Sequence, residues 1–235
     1  FAVYFGVFAI FFLTALYLDV GLMYSGWKLA GMFAPMALAI VVGGLAAGRW
    51  VGRAGPRPPM AVGCLLAAVG IFLANIVIGD GAKVEFWMLC LALALAGLGF
   101  GVTVVPMTSA VLTQVPSRHS GVAASMTNTA RQLGAVVGVT ALGAVVNVHL
   151  KNGVDEYLAS NPLGALLKSG VIKTLETGGT LGGFSLHNIP APFVTAFVDG
   201  LQIALLVAAA LTALAALIAW AVRAPVPPAD AEEPS

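Results

Sequence analysis

Arg131 is the single charged residue in the segment 121–148. On a helix rising about 1.5 Å per residue it lies roughly 15 Å in, near the midplane of a hydrocarbon layer about 30 Å thick. A cation at that depth is costly and calls for a binding surface, a substrate path or a polar network to hold it. At about 100° per residue, Ser125, Asn128 and Gln132 share one narrow sector, Arg131 lies beside Asn128, and Gly134 and Gly138 continue around that edge. Such an arc turns away from lipid, toward neighbouring helices or toward an aqueous cavity, and the residues alone leave both destinations open. Its chemistry is recognition: amide and hydroxyl hydrogen bonds beside one fixed cation.

Nothing around the arc offers catalysis. The spans contain no acid–base pair, metal cluster or activated nucleophile, and Ser125 has no His within helical reach, so no enzyme is expected. His119, His149 and His187 stand far apart without ligand spacing, so neither metal nor cofactor is expected. Arg131 has no acid at its own depth, because Asp19 and Asp199 mark the outer ends of the first and last spans. Backbone carbonyls, water or a group on other sequence are the partners this predicts. Asp19 itself reads as a carboxylate at the outer mouth, either solvated or meeting protons or substrate.

The elements that must carry this arc are membrane helices. The chain is 60% hydrophobic and 9% charged, too few charges to cover a soluble surface. Uncharged runs predict six spans at approximately 1–19, 29–51, 60–79, 86–112, 121–148 and 193–222, each near the roughly 20 residues that crossing requires. The runs are continuously apolar rather than alternating, which selects helices over a barrel. The predicted class is therefore all-α and integral to the membrane, with both ends on one side. Phe1 begins inside an apolar run with no initiator Met or basic flank, unlike a signal peptide, and the chain reads as the C-terminal part of a longer polypeptide. The net charge of +1 is scattered, so no nucleic-acid partner is expected.

Arg49, Arg53 and Arg57 crowd one short connection, which the positive-inside rule places in the cytoplasm. Arg118 and Arg223 fall on that side, whereas Lys28, Lys83, Lys151, Lys168 and Lys173 fall opposite. The connection 149–192 is then extracytoplasmic, with an interfacial helix expected from Leu163, Leu166, Leu167, Val171 and Leu175. The Pro-rich tail 223–235 reads as disordered and cytoplasmic. Cys64 and Cys90 sit inside spans as small apolar side chains.

Small residues mark the helix contacts. Gly97 and Gly101 form a small-xxx-small pair in the fourth span, followed by Thr103, Pro106, Thr108 and Ser109, with a kink expected at Pro106. Gly97-Leu98-Gly99 is no nucleotide fingerprint, since Val102 holds the third glycine position and no strand precedes it. Gly44, Gly48 and Gly52 overlap as two further pairs running into Arg49, Arg53 and Arg57, which predicts close packing capped by cations as a gating loop, or arginines that only set topology.

Together these residues resemble the C-terminal half of a major facilitator superfamily transporter, particularly the fourteen-span drug:proton antiporter group. Gly44-Leu45-Ala46-Ala47-Gly48-Arg49 with Arg53-Ala54-Gly55-Pro56-Arg57 is similar to the degenerate second-half copy of the family's cytoplasmic Gly/Arg signature, with Gly48 near the place of its acidic residue. Gly97-Leu98-Gly99-Phe100-Gly101, Pro106, Pro116, Gly121, Ala124-Ser125, Asn128 and Arg131-Gln132-Leu133-Gly134 with Gly138 resemble the penultimate two spans in order and spacing. The resemblance implies a six-helix bundle that pairs with a missing N-terminal half around a central cavity in the bacterial inner membrane, rocking to give alternating access. It implies multidrug efflux of small lipophilic, often cationic compounds driven by proton entry, with Ser125, Asn128, Arg131 and Gln132 at the cavity or its gate. The alternatives are a transport-inactive membrane scaffold or truncated module, and a facilitator for a metabolite or siderophore.

Overall fold

Residues 1–21, 24–79, 86–113, 115–116, 119–160 and 191–221 are described by the structure, a computed structural model. Among the described residues, apolar sequence gives six α-helices: α1 (Ala2–Leu16), α2 (Gly26–Ala54), α3 (Arg57–Gly79), α4 (Phe86–Thr113), α5 (Ser120–Ser160) and α6 (Ala191–Ala221). A π-helical turn, Tyr17–Gly21, continues α1 and carries Asp19. Six stretches within them are long and apolar enough to cross a membrane. The described residues include no strand, so the all-α membrane class holds.

α2 packs on α4, α4 on α3, α3 on α6, α6 on α5 and α5 on α1, and α1 returns to α6. Ile10 and Leu13 of α1, Ile71 and Ile78 of α3, Leu89 and Leu93 of α4, and Leu201 and Leu205 of α6 are fully buried where these helices meet. Lipid tails are as apolar as these side chains, so close fit rather than exclusion of water must hold the bundle. All four tryptophans sit near helix ends and face outward. Trp27 and Trp87 are 90% and 80% exposed at the starts of α2 and α4, and Trp50 and Trp220 lie near the ends of α2 and α6. Two indole belts of this kind mark the two interfaces of a bilayer.

The turn between α2 and α3 shows why its residues are needed. Gly55 has φ +79°, in the left-handed region that a Cβ disfavours, and its N–H donates to Val51 O at 3.0 Å to close α2. Pro56 then starts the chain back, and Met60 N–H donates to Pro56 O at 3.3 Å in the first turn of α3. Gly55→Ala is expected to cost about 1–2 kcal/mol. It would be read as a lower Tm of the full-length protein in detergent, and an unchanged Tm would show that the turn relaxes without the left-handed residue.

α5 does not stop near 148 but runs through His149 to Ser160, residues the sequence reading gave to the connection. Lys151 and Asn152 are compatible with helix, and no proline interrupts the chain before Pro162, so loss of hydrophobicity alone does not end it. The expected interfacial helix near Leu163–Leu175 and the tail 223–235 lie outside the described residues.

Candidate functional site

Glycines set the distances at which helices bring polar groups together. A Cβ on Gly97 would meet Met36 O at 2.5 Å, and one on Gly101 would collide with Ile40 O and reach its carbonyl carbon at 2.9 Å. The i, i+4 pair on α4 therefore seats two carbonyls one turn apart on α2. α5 does the same against α1, where Gly134 receives Phe1 O and Gly138 receives Phe5 O, the latter 2.6 Å from an added Cβ. Gly99 faces the other way, with Gly63 O of α3 at 2.5 Å. Thus α4 is wedged between α2 and α3. Thr103 Oγ1, in this wedge, donates to Gly99 O at 2.8 Å.

Of Gly44, Gly48 and Gly52, only Gly44 lies against α4, where an added Cβ would stand 3.8 Å from the Val105 side chain and 3.9 Å from Gly101 O. Gly43 is the close contact, with Leu98 O 2.6 Å from an added Cβ, whereas Gly48 and Gly52 have no described atom within 4 Å. The buried face of α2 runs through Met36, Gly43 and Ala47, and Gly48 and Gly52 lie on its exposed side.

These seatings bring Arg131 to two partners within the chain. Its Nη2 donates to Thr108 Oγ1 of α4 at 2.5 Å, and Thr108 Oγ1 in turn donates to Val104 O at 2.8 Å. The hydroxyl thus passes the negative end of a backbone dipole to the guanidinium. On the α1 side, Arg131 Cζ stands 5.5 Å from the centre of the Tyr4 ring, within range of cation–π attraction. Arg131 Nε is buried without an acceptor. Within the chain the cation is therefore held by a neutral hydroxyl and a ring face, neither of which the residues alone point to. Unmet donor capacity remains.

The rest of the arc does not follow Arg131 inward. Ser125, Asn128 and Gln132 are exposed, and no hydrogen bond joins them to Arg131. Ser125 Oγ donates to Val122 O at 2.9 Å, one turn back on its own helix. Arg49 and Arg53 are exposed and Arg57 is half-buried, with its Nη2 lacking an acceptor. Asp19 is exposed at the opposite end of the bundle. α4 continues through Pro106, whose carbonyl accepts from Ser109 Oγ at 3.1 Å. Cys64 and Cys90 are free and buried. His187 lies outside the described residues, among which no three potential ligands gather for a metal.

Two participants escaped the sequence reading. Tyr4 gave no signal, being one aromatic in an aromatic-rich span. Thr108 was visible as a polar residue of the fourth span but not as the acceptor for Arg131. Pro35, inside α2, was also passed over.

Comparison with known proteins agrees with this architecture. The chain is 24% identical to multidrug resistance protein Stp of Mycobacterium tuberculosis over 228 residues, covering 93% of this chain and 42% of that protein. It is 28% identical to puromycin resistance protein pur8 of Streptomyces alboniger over 217 residues, 92% of this chain and 37% of that one. A triacylglyceride transporter of Mycolicibacterium hassiacum is 34% identical over 138 residues, 56% of this chain and 26% of its own length. The chain thus spans about two-fifths of the first of these relatives. The family profile described as Major Facilitator Superfamily matches residues 1–139. Six membrane-length helices, glycine-seated packing and this match together identify the chain as a multi-pass bacterial membrane protein that belongs to the major facilitator superfamily.

Proposed function

We propose that this chain is the C-terminal bundle of a secondary active transporter that exports small lipophilic compounds, with proton entry as the driving reaction and alternating access as the motion. The observation that carries the reading is Arg131: a mid-span cation held between α1 and α4, beside an open polar stretch of α5. Helices joined by one hydroxyl and one ring face can exchange those contacts as the bundle rocks, whereas a fully paired buried ion would resist it. The relatives named for drug resistance support export as the direction.

In this reading Ser125, Asn128 and Gln132 border the cavity or its gate and face a second six-helix bundle. Gly97, Gly101, Gly134 and Gly138 keep the helices close enough for Arg131 to reach its partners, and Pro106 supplies a bend point in α4. Arg49, Arg53 and Arg57 cap the cytoplasmic side, the assignment that follows from their crowding into one short turn. Asp19 is the candidate carboxylate at the outer mouth. Transport, rather than catalysis, is what this set of groups supports.

The test is reconstitution of the full-length protein in vesicles with an imposed proton gradient. Lipophilic substrate is expected to accumulate against its gradient and to dissipate the pH difference as it moves. Substrate movement with no coupled proton flux would remove the antiport mechanism. A protein that moves no lipophilic compound would remove the transport reading in favour of a scaffold.

A further inference from the structure

The aromatic residues of α1 are arranged, not merely frequent. At about 100° per residue, Tyr4, Phe8 and Phe11 fall within roughly 60° of one another. Gly6 lies about 200° from Tyr4 on the same wheel and faces Ile71 of α3 and Thr212 of α6. The Phe1 and Phe5 carbonyls, on a third side, seat on α5. The aromatic arc therefore looks away from α3 and α6, toward the side of α1 on which α2 and α4 lie.

Rings from those neighbours extend it. Tyr4 stacks on Phe8 at 6.1 Å and meets Phe100 of α4 edge-on at 5.1 Å, and Phe11 meets Phe33 of α2 at 4.5 Å. Phe8 and Phe11 remain 43% and 48% exposed. From Tyr4 to Phe11 the strip runs about 10 Å at 1.5 Å per residue, the length of two or three fused rings. One end is closed by the Arg131 guanidinium at the Tyr4 ring. Among residues whose side chains are described, the carboxylates are Asp19, about 22 Å further along α1 by the same rise, and Asp199, exposed on α6. Neither can touch a molecule seated against Arg131.

We propose that this strip binds flat aromatic molecules bearing an anionic oxygen, a carboxylate or phenolate, with the rings on Tyr4, Phe8, Phe11, Phe33 and Phe100 and the oxygen on Arg131. The proposal rests on the transport reading and names its substrate class. Aromatic rings give offset and edge contacts to a flat partner, and the guanidinium, which spends Nη2 on Thr108 and has its Nε buried, supplies a charge-assisted donor to the anion from Nη1. A cation in the same seat meets like charge that no described carboxylate offsets, so the site selects against aromatic ammonium compounds.

The experiment uses the full-length transporter in phosphatidylcholine vesicles and three matched fluorescent probes: anthracene carboxylate, anthracene methanol and aminomethyl-anthracene. The carboxylate is expected to bind about tenfold more tightly than the alcohol, and the ammonium probe least, as one charge-assisted contact allows. R131Q is expected to bring the carboxylate down to the alcohol, while F8A and F11A weaken both probes alike. Because the carboxylate-to-alcohol ratio is read within one preparation, partial misfolding of a variant leaves it unchanged. Preference for the ammonium probe, or an unchanged ratio in R131Q, overturns the proposal. So does loss of carboxylate binding when phosphatidylglycerol is added, which would assign Arg131 to an anionic lipid headgroup. Wild type that moves other lipophilic compounds but binds none of the three overturns this inference alone, whereas wild type that moves none at all removes the transport reading beneath it.

Discussion

Arg131→Ala in the full-length protein, at wild-type levels in the membrane, is expected to abolish drug export. The substitution removes the donor to Thr108 Oγ1 and the cation over the Tyr4 ring, so α5 loses its polar ties to both α4 and α1. A hydrogen bond from a charged donor is worth about 1.5–3 kcal/mol, and the ring contact adds about 0.5–2 kcal/mol. Those energies bear on stability and, in the proposed alternating-access motion, on the balance between its two states. Arg131→Lys keeps the charge but not the planar fork, and should retain only part of the activity. Thr108→Val removes the acceptor while preserving shape, and should fall between Lys and wild type. Efflux assays normalised to membrane expression decide the matter. Wild-type export by Arg131→Ala would remove the residue from the transport site, and loss of the protein from the membrane would assign it to folding.

Gly101→Ala is expected to produce the second large effect, this time on stability. Its Cβ would collide with Ile40 O and lie 3.0 Å from Gly44 N, both backbone atoms of α2 that cannot rotate aside. The helices must part, at a cost of about 1–3 kcal/mol, with Gly101→Val more severe. Thr108 lies two turns further along α4, so the same shift should carry it from Arg131 and lower export. Gly48→Ala and Gly52→Ala are the controls. Nothing described lies within 4 Å of either, and their effect should stay within about 0.5 kcal/mol. Thermal unfolding in detergent compares the set, and equal Tm for Gly101→Ala and Gly48→Ala would refute the seating of α2 on α4.

Much of this was legible in the residues. The class and the number of spans follow from hydrophobicity summed over about 20 consecutive positions, a quantity that needs no neighbour from elsewhere in the chain. Arg131 stands out for the same reason, since its cost is set by depth within its own helix. The family resemblance carried by Gly97 to Gly138 agrees with the profile match over residues 1–139.

What lies between helices was not legible. The acceptor for Arg131 is 23 residues away in sequence, and its ring partner Tyr4 is far away near the start of the chain. Three glycines spaced by four on α2 look like a packing face, yet only Gly44 of the three lies against α4 and the tightest seat is its neighbour Gly43, because a glycine becomes a seat only where a neighbouring carbonyl falls in register with it. The arc of Ser125, Asn128, Arg131 and Gln132 looks like one surface on a wheel. The structure divides it, turning Arg131 toward α1 and α4 while the other three stay open. Periodicity determines which face of a helix a residue shares, but the level and rotation at which helices meet are set by the fit of many backbone and side-chain atoms at once. That fit alone decided that the one mid-span cation ends against a threonine hydroxyl and a tyrosine ring.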